Sequence, residues 1–322
     1  MSSPPPPIHE QVRVWGPEST QRLSLEESLA YCHALATGHY ENFSVMSALV
    51  PRALRDDFAA VYAFCRWADD LGDEMGGPDE SLRLLAWWRE ELDACFSRVP
   101  MHPVMVALSD TVMRHDLPRE PFEDLIDAFE QDQRVTRYET WDQLIDYCRR
   151  SANPVGRLVL MLFGEPREDE FLLPSDAICT GLQLVNHWQD VGRDLLDRDR
   201  CYIPREMITV DDFDARLLEC AGLGFCADHA FLEASRGIVA SCIRRTEPFF
   251  IEGASLIPLL GDEARPVVRL FRDGGLHVMN LIGHWNYETI LHRPRLSAVT
   301  KFGLISRAWL GARMARRKGG RG

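Results

Sequence analysis

Tyr62-Ala63-Phe64-Cys65-Arg66-Trp67-Ala68-Asp69-Asp70-Leu71-Gly72-Asp73-Glu74 reads as the end of a helix that carries carboxylates into an apolar setting. Asp69 and Asp73 are four residues apart and so share a helical face, with Arg66 one turn before Asp69 and Tyr62 a further turn back. Ala59, Ala60, Val61, Phe64 and Ala68 make the segment too apolar to stand freely in water. The pattern predicts a helix over about 52–71, opened near Pro51 and closed before the Gly76-Gly77-Pro78 turn.

More than 100 residues later, Gln183-Leu184-Val185-Asn186-His187-Trp188-Gln189-Asp190-Val191-Gly192-Arg193-Asp194 repeats the theme. Asn186, Asp190 and Asp194 rise at intervals of four along one expected helical stripe, among Leu182, Leu184, Val185 and Trp188. Like charges at that spacing oppose a helix by roughly 0.2–0.5 kcal/mol per pair, so a compensating partner is expected. An oxygen-only donor set without a histidine–cysteine group favours Mg2+, which keeps several waters and completes its shell with substrate phosphates. Two carboxylate clusters facing one another would clamp a diphosphate and make it a competent leaving group. One Asp-x-x-x-Asp pair alone reads as a solvated helix face; two copies in apolar helices point to metal.

Outward from these motifs, helical periodicity predicts further helices at about 25–37, 79–96, 103–115, 119–134, 141–163, 178–196, 212–222, 225–250 and 266–288. Strand alternation never persists, so the chain is expected to be all-α. Within 141–163, Pro154 and Gly156 interrupt the pattern, either as a kink or as room for a long bound chain.

The chain has 322 residues, 46% hydrophobic and 26% charged, enough for one large core or two small ones. Its net charge of -13 argues against a general nucleic-acid binder. Nine scattered cysteines, an odd number with no zinc half-site, read as reduced core cysteines of a cytoplasmic protein. No apolar run reaches the roughly 18 residues of a membrane span. Residues 1–20, with the Pro4–Pro7 run, are expected to be a flexible leader, 21–293 the catalytic domain and 294–322 a basic tail. Lys301, Arg307, Arg313, Arg316, Arg317, Lys318 and Arg321 beside Phe302, Leu304, Ile305, Trp309, Leu310 and Met314 would suit peripheral contact with the cytoplasmic face of an anionic inner membrane, or a frayed solubilising tail.

At Tyr62 to Glu74, Tyr147 to Gly156, and Gln183 to Asp194 with the following Arg200-Cys201-Tyr202-Ile203-Pro204, the sequence resembles the head-to-head prenyl synthases, which include squalene, dehydrosqualene and phytoene synthases. His39-Tyr40-Glu41-Asn42-Phe43 extends the resemblance, which covers roughly 25–290. It implies the isoprenoid synthase fold, a single helical domain around a central cavity, with Mg2+ held by Asp69, Asp73, Asp190 and Asp194. It further implies diphosphate contacts from Arg66 and Asn186, cavity or diphosphate-side roles for His39, Tyr62, Tyr147 and Gln183, and a prenyl-chain contact from Phe43. Tyr62 and Tyr147 also read as packed phenols, and His39 as a helix cap.

Gln189, where squalene and phytoene synthases usually carry arginine, and Arg193, where they commonly carry glutamate, resemble the hydroxysqualene synthase branch of bacterial hopanoid biosynthesis. That branch implies a carbon–oxygen lyase converting presqualene diphosphate and water to hydroxysqualene. A sister presqualene-diphosphate synthase would supply it and an oxidoreductase would follow it. Tyr147, Asn153 and His187 are the candidates for positioning the water. A farnesyl-diphosphate condensing synthase and a non-catalytic lipid-handling partner are the alternatives.

Overall fold

The computed structural model describes residues 6–38 and 49–295. His39, Phe43 and nearly all of the basic tail lie outside the described residues. In chain order the helices are α1 (Ile8–Trp15), α2 (Leu25–Gly38), α3 (Arg55–Asp73), α4 (Pro78–Phe96), α5 (Pro103–His115), α6 (Glu120–Asp132), α7 (Trp141–Ser151), α8 (Asn153–Leu162), α9 (Asp169–Gln189), α10 (Val191–Arg198), α11 (Phe213–Leu223), α12 (His229–Gly253), α13 (Leu256–Leu259) and α14 (Ala264–His284). The β pairing among the described residues is an isolated parallel bridge between Arg137 and Cys201, so the all-α expectation holds. No helix among the described residues is long and apolar enough to cross a membrane.

The chain divides into two compact units. In the first, residues 1–134 with 154–167, α3 is the packed axis, in contact with α2, α4, α5 and α6. Ala60, Ala63, Phe64, Trp67, Ala68 and Leu71 recur at helical spacing and are buried. Trp67 stacks on Trp88 at 5.3 Å, and Phe64 meets Phe122 edge-on at 5.0 Å. Burying each such ring contributes about 2–3 kcal/mol. Trp67 Nε1 donates to the Tyr31 hydroxyl at 3.1 Å, and that hydroxyl donates to Gln11 Oε1 at 2.5 Å. This relay ties α1 and α2 to α3, so part of the segment read as a loose leader is a helix with Ile8 and Gln11 buried.

The second unit, residues 135–153 with 168–322, is built on α9 packed against α12 and α14. Trp188 Nε1 donates to Thr246 Oγ1 at 2.8 Å across the α9–α12 contact. Side chains at Gly253 and Gly275 would overlap Ile178 and Phe250 respectively, so both glycines set how closely these helices approach. The connection after α10 is anchored by Cys201 N–H to Thr136 O at 2.9 Å and by Arg137 and Arg205, which both pair with Asp214.

Two expected helices are broken. The stretch 141–163 ends one helix at Ser151 and begins another at Asn153, because Pro154 supplies no N–H and disfavours helical geometry before it. The stretch 178–196 breaks at Asp190, whose backbone at φ -108, ψ 16 leaves the helical region between α9 and α10.

Candidate active site

In the first unit the acidic motif closes α3. Arg66 turns to Asp70 rather than chiefly to Asp69: its Nε donates to Asp70 Oδ2 at 2.8 Å, while Asp69 lies 3.7 Å and Glu74 3.3 Å away. Asp70 is buried, and that burial pushes its carboxyl up to about 7 against the opposing pull of Arg66. Asp69 and Asp73 are half-buried on the neighbouring face, and Tyr62 is half-buried two turns upstream. Sequence reading set Asp70 apart from the pair, yet among the carboxylates of this motif it is the most withdrawn from water.

In the second unit the joint at Asp190 organises the site. Asp190 N–H still reaches Asn186 O at 3.0 Å, and Asp194 N–H reaches Asp190 O at 2.8 Å, so hydrogen bonding continues through the bend. The side chains do not form one uniform stripe: Asn186 is exposed and Gln183 half-buried, whereas Asp190 and Asp194 are only 9% and 7% exposed. Arg293 grips Asp190 with two parallel bonds, Nε to Oδ1 and Nη2 to Oδ2, the latter 2.7 Å. Arg193 stands 3.7 Å from the same carboxylate, and Arg198 lies 3.8 Å from Asp194. Burial, reinforced by the charge of Asp190, pushes the Asp194 carboxyl up to about 7.

Arg293 arrives on a strap that follows α14. Asn286 and Tyr287 adopt positive φ, turning the chain back. Glu288 accepts the Ile290 and Leu291 N–H groups at 2.9 and 2.8 Å and pairs with His292 at 2.6 Å. Thr289 O receives Gly192 N–H at 3.3 Å, and Gln189 donates its amide to Pro294 O. A residue with a side chain at 192 would overlap the Ile290 carbonyl, so the glycine admits the strap. Sequence reading missed Glu288 and Arg293, since nothing periodic links them to a carboxylate about a hundred residues earlier.

An aromatic group lies beside this joint. His187 stacks on Tyr202 at 3.7 Å, Tyr147 lies 5.9 Å from Tyr202, and Tyr138 is 5.6 Å from Tyr147. Burial, aided by Arg200, pushes His187 down to about 3, so its imidazole is neutral at ordinary pH. Its Nε2 finds no hydrogen-bond partner among the described residues. Asn153 is buried, with Oδ1 accepting from Thr180 Oγ1 at 2.9 Å. The structure therefore brings Tyr147, His187, Asp190 and Asp194 into one unit, and Arg66, Tyr62, Asp69 and Asp73 into the other.

Among the described residues no group of three or more histidine, cysteine, aspartate and glutamate side chains converges as a metal site. The donor chemistry nevertheless fits a hard cation. Asp190 and Asp194 are buried oxygen donors, burial and the charge of Asp190 push the Asp194 carboxyl up against the opposing pull of Arg198, Arg193 and Arg200, and a guanidinium already satisfies Asp190.

A family model described as squalene/phytoene synthase matches residues 36–300. The chain is 40% identical over 176 residues to a hydroxysqualene synthase of Zymomonas mobilis, covering 53% of this chain and 57% of that protein. It is 39% identical over 170 residues to a hydroxysqualene synthase of Sinorhizobium fredii, covering 52% and 56%. A phytoene synthase of Arthrospira platensis is 33% identical over 199 residues, covering 58% and 64%. The chain thus spans about half the length of the curated relatives it matches. The crystal structure of squalene synthase HpnC from Alicyclobacillus acidocaldarius superposes with a TM-score of 0.72 at 39% identity, covering 82% of this chain and 96% of that one.

Proposed function

Because the chain belongs to the squalene/phytoene synthase family, we propose that it is a hydroxysqualene synthase, ionising presqualene diphosphate and capturing the rearranged cation with water. The observation that carries this reading is the pair of buried carboxylates Asp190 and Asp194 at a helix joint beside a neutral aromatic wall. Mg2+ held by Asp69, Asp73, Asp190 and Asp194 would supply Lewis-acid neutralisation of the diphosphate. Arg66 and Asn186 would contact phosphate oxygens, with His39, Tyr62 and Gln183 on the diphosphate side and Phe43 against the prenyl chain.

The carbon–oxygen bond breaks with its electron pair leaving on diphosphate. Tyr147 and Tyr202, 5.9 Å apart beside the joint, would stabilise the resulting cyclopropylcarbinyl cation by cation–π attraction, worth on the order of 1–2 kcal/mol per desolvated ring. The neutral His187 adds no positive charge to repel it. After ring opening, the oxygen of one water joins carbon and its proton passes to the released diphosphate. Tyr147, Asn153 and His187 are the groups we assign to holding that water. The enzyme would act between a presqualene-diphosphate synthase and an oxidoreductase, at the cytoplasmic face of the membrane.

The test is incubation with presqualene diphosphate and Mg2+, with and without reduced nicotinamide cofactor. The alcohol should form in both, and D69N or D190N should abolish it. Full turnover by either variant would end the catalytic account. The 33% identity to a phytoene synthase supports a second reading, condensation of farnesyl diphosphate. Consumption of farnesyl diphosphate alone would favour that reading over hydroxysqualene formation.

A further inference from the structure

Within the second unit, a cavity of about 510 Å3 that shares no lining residue with the acidic motif is lined by Ala254, Ile257, Pro258, Arg265, Arg269 and Arg272. The three arginines follow one another at intervals of four and three along α14 and so share a face, and no carboxylate lines the cavity. Asp262 and Asp273 pair with Arg265 and Arg272, so the uncompensated positive charge at this cavity is that of Arg269. A volume of this size lies within the usual range of small-molecule sites.

Two of the guanidiniums are fixed in place by the backbone. Arg265 donates through Nε to Ile257 O at 3.2 Å and also to Leu260 O, with Nη1 on Asp262 at 3.0 Å. Arg272 donates to Phe250 O at 3.3 Å and to Asp273 at 3.2 Å. Five N–H donors per guanidinium leave both with unused donors after these bonds. Arg269 is exposed, with no carboxylate partner among the described residues. The opposite wall is apolar, and the elements that supply it also expose Ile251, at 67%, Pro258 and Leu259.

We propose that this cavity binds the phosphate of a membrane phospholipid headgroup and seats the second unit on an anionic bilayer, with Ile251, Pro258 and Leu259 against the headgroup–acyl boundary. Pre-oriented guanidiniums match phosphate oxygens bidentately. The apolar wall is what a free inorganic anion would not use and a lipid would. The surface this creates is independent of the basic residues beyond 300, and it does not require the proposed reaction.

The experiment uses the full chain with phosphatidylcholine vesicles, with and without phosphatidylglycerol, in co-sedimentation across a salt series. Binding should need phosphatidylglycerol and weaken with salt. R269A should weaken it roughly fivefold and R269E further, R269K should retain it, and melting temperatures should not move because Arg269 is exposed. Turnover of detergent-dispersed substrate, read separately, should be unchanged in R269E. Vesicle binding unaffected by R269E would place the lipid contact elsewhere, on the basic C-terminal residues, and overturn the proposal. Saturation by inorganic phosphate, read as a thermal shift lost in R269E, without any vesicle binding would assign the site to a soluble anion and overturn it equally.

Discussion

Arg293 grips the carboxylate of Asp190 from 103 residues away, with Nη2 to Oδ2 at 2.7 Å, and so places a positive charge where a bound cation is expected. Removing one partner of a buried pair leaves an uncompensated charge, and the partial exposure of Arg293 reduces the penalty to about 1–3 kcal/mol. R293Q should therefore lower stability to urea in the absence of Mg2+. Saturating Mg2+ should restore most of that loss, by replacing the guanidinium at Asp190. An equal loss with and without Mg2+ would show that Asp190 takes no part in holding the ion.

Gly192 and Gly222 make opposite predictions for the same substitution. At Gly192 a methyl group would overlap the Ile290 carbonyl, a backbone atom that cannot swing aside, so G192A should cost about 1–3 kcal/mol and loosen the strap. At Gly222, inside α11, a methyl group meets only Leu196 Cδ2 at 3.9 Å. G222A should be neutral or stabilise by up to about 1 kcal/mol through helix propensity. Thermal melts of the two variants check the pair, and a neutral G192A would contradict the close approach of the strap.

These contacts mark the border of what the amino-acid order made legible. α3, α4, α5 and α11 were readable to within a few residues, because their apolar positions repeat at helical spacing and Gly77-Pro78 or Pro103 punctuate them. The two aspartate motifs stood out because carboxylates inside apolar helices need a reason. The bend at Asp190 did not: no proline precedes it, and the strap packed on Gly192 comes from a distant part of the chain. Arg66 had Asp69 and Asp70 at nearly equal sequence reach, and only the burial of Asp70 decides between them. α1 was hidden by the proline run before it, although Ile8 and Gln11 face the core.

Asp57 is fully buried in the first unit and holds together three groups of α5: Thr111 Oγ1 at 3.0 Å, Arg114 at 2.6 Å and His115 Nε2 at 3.0 Å. Its distance from the acidic motif makes it a control for structural rather than catalytic carboxylates. D57A should cost about 2–3 kcal/mol, since Thr111 and His115 lose a buried hydrogen-bond partner and Arg114, itself partly exposed, loses its counter-ion. D57N retains the acceptor for Thr111 and should cost less. A D57A loss below 1 kcal/mol in urea titrations would mean that solvent, not Asp57, satisfies Arg114.

Acid should destabilise the fold through two buried imidazoles. His102 lies among Trp67, Trp87 and Trp88, its Nδ1 accepts the Val104 N–H at 3.2 Å, and burial pushes it down to about 3; His187 is pushed down to about 3 as well. In the unfolded chain both should titrate near 6.5. Between those values the unfolded state binds protons that the folded state refuses, so stability is complete above about 6.5 and falls as pH drops toward 3. The slope is at most about 1.4 kcal/mol per pH unit for each histidine. H102N can still cap α5 but has no proton to take up. Its cost relative to the native chain should be largest near neutrality and shrink by about pH 4.5, a difference in which the carboxylates common to both proteins cancel. Parallel stability curves for the two across that range would show that His102 is protonated within the fold.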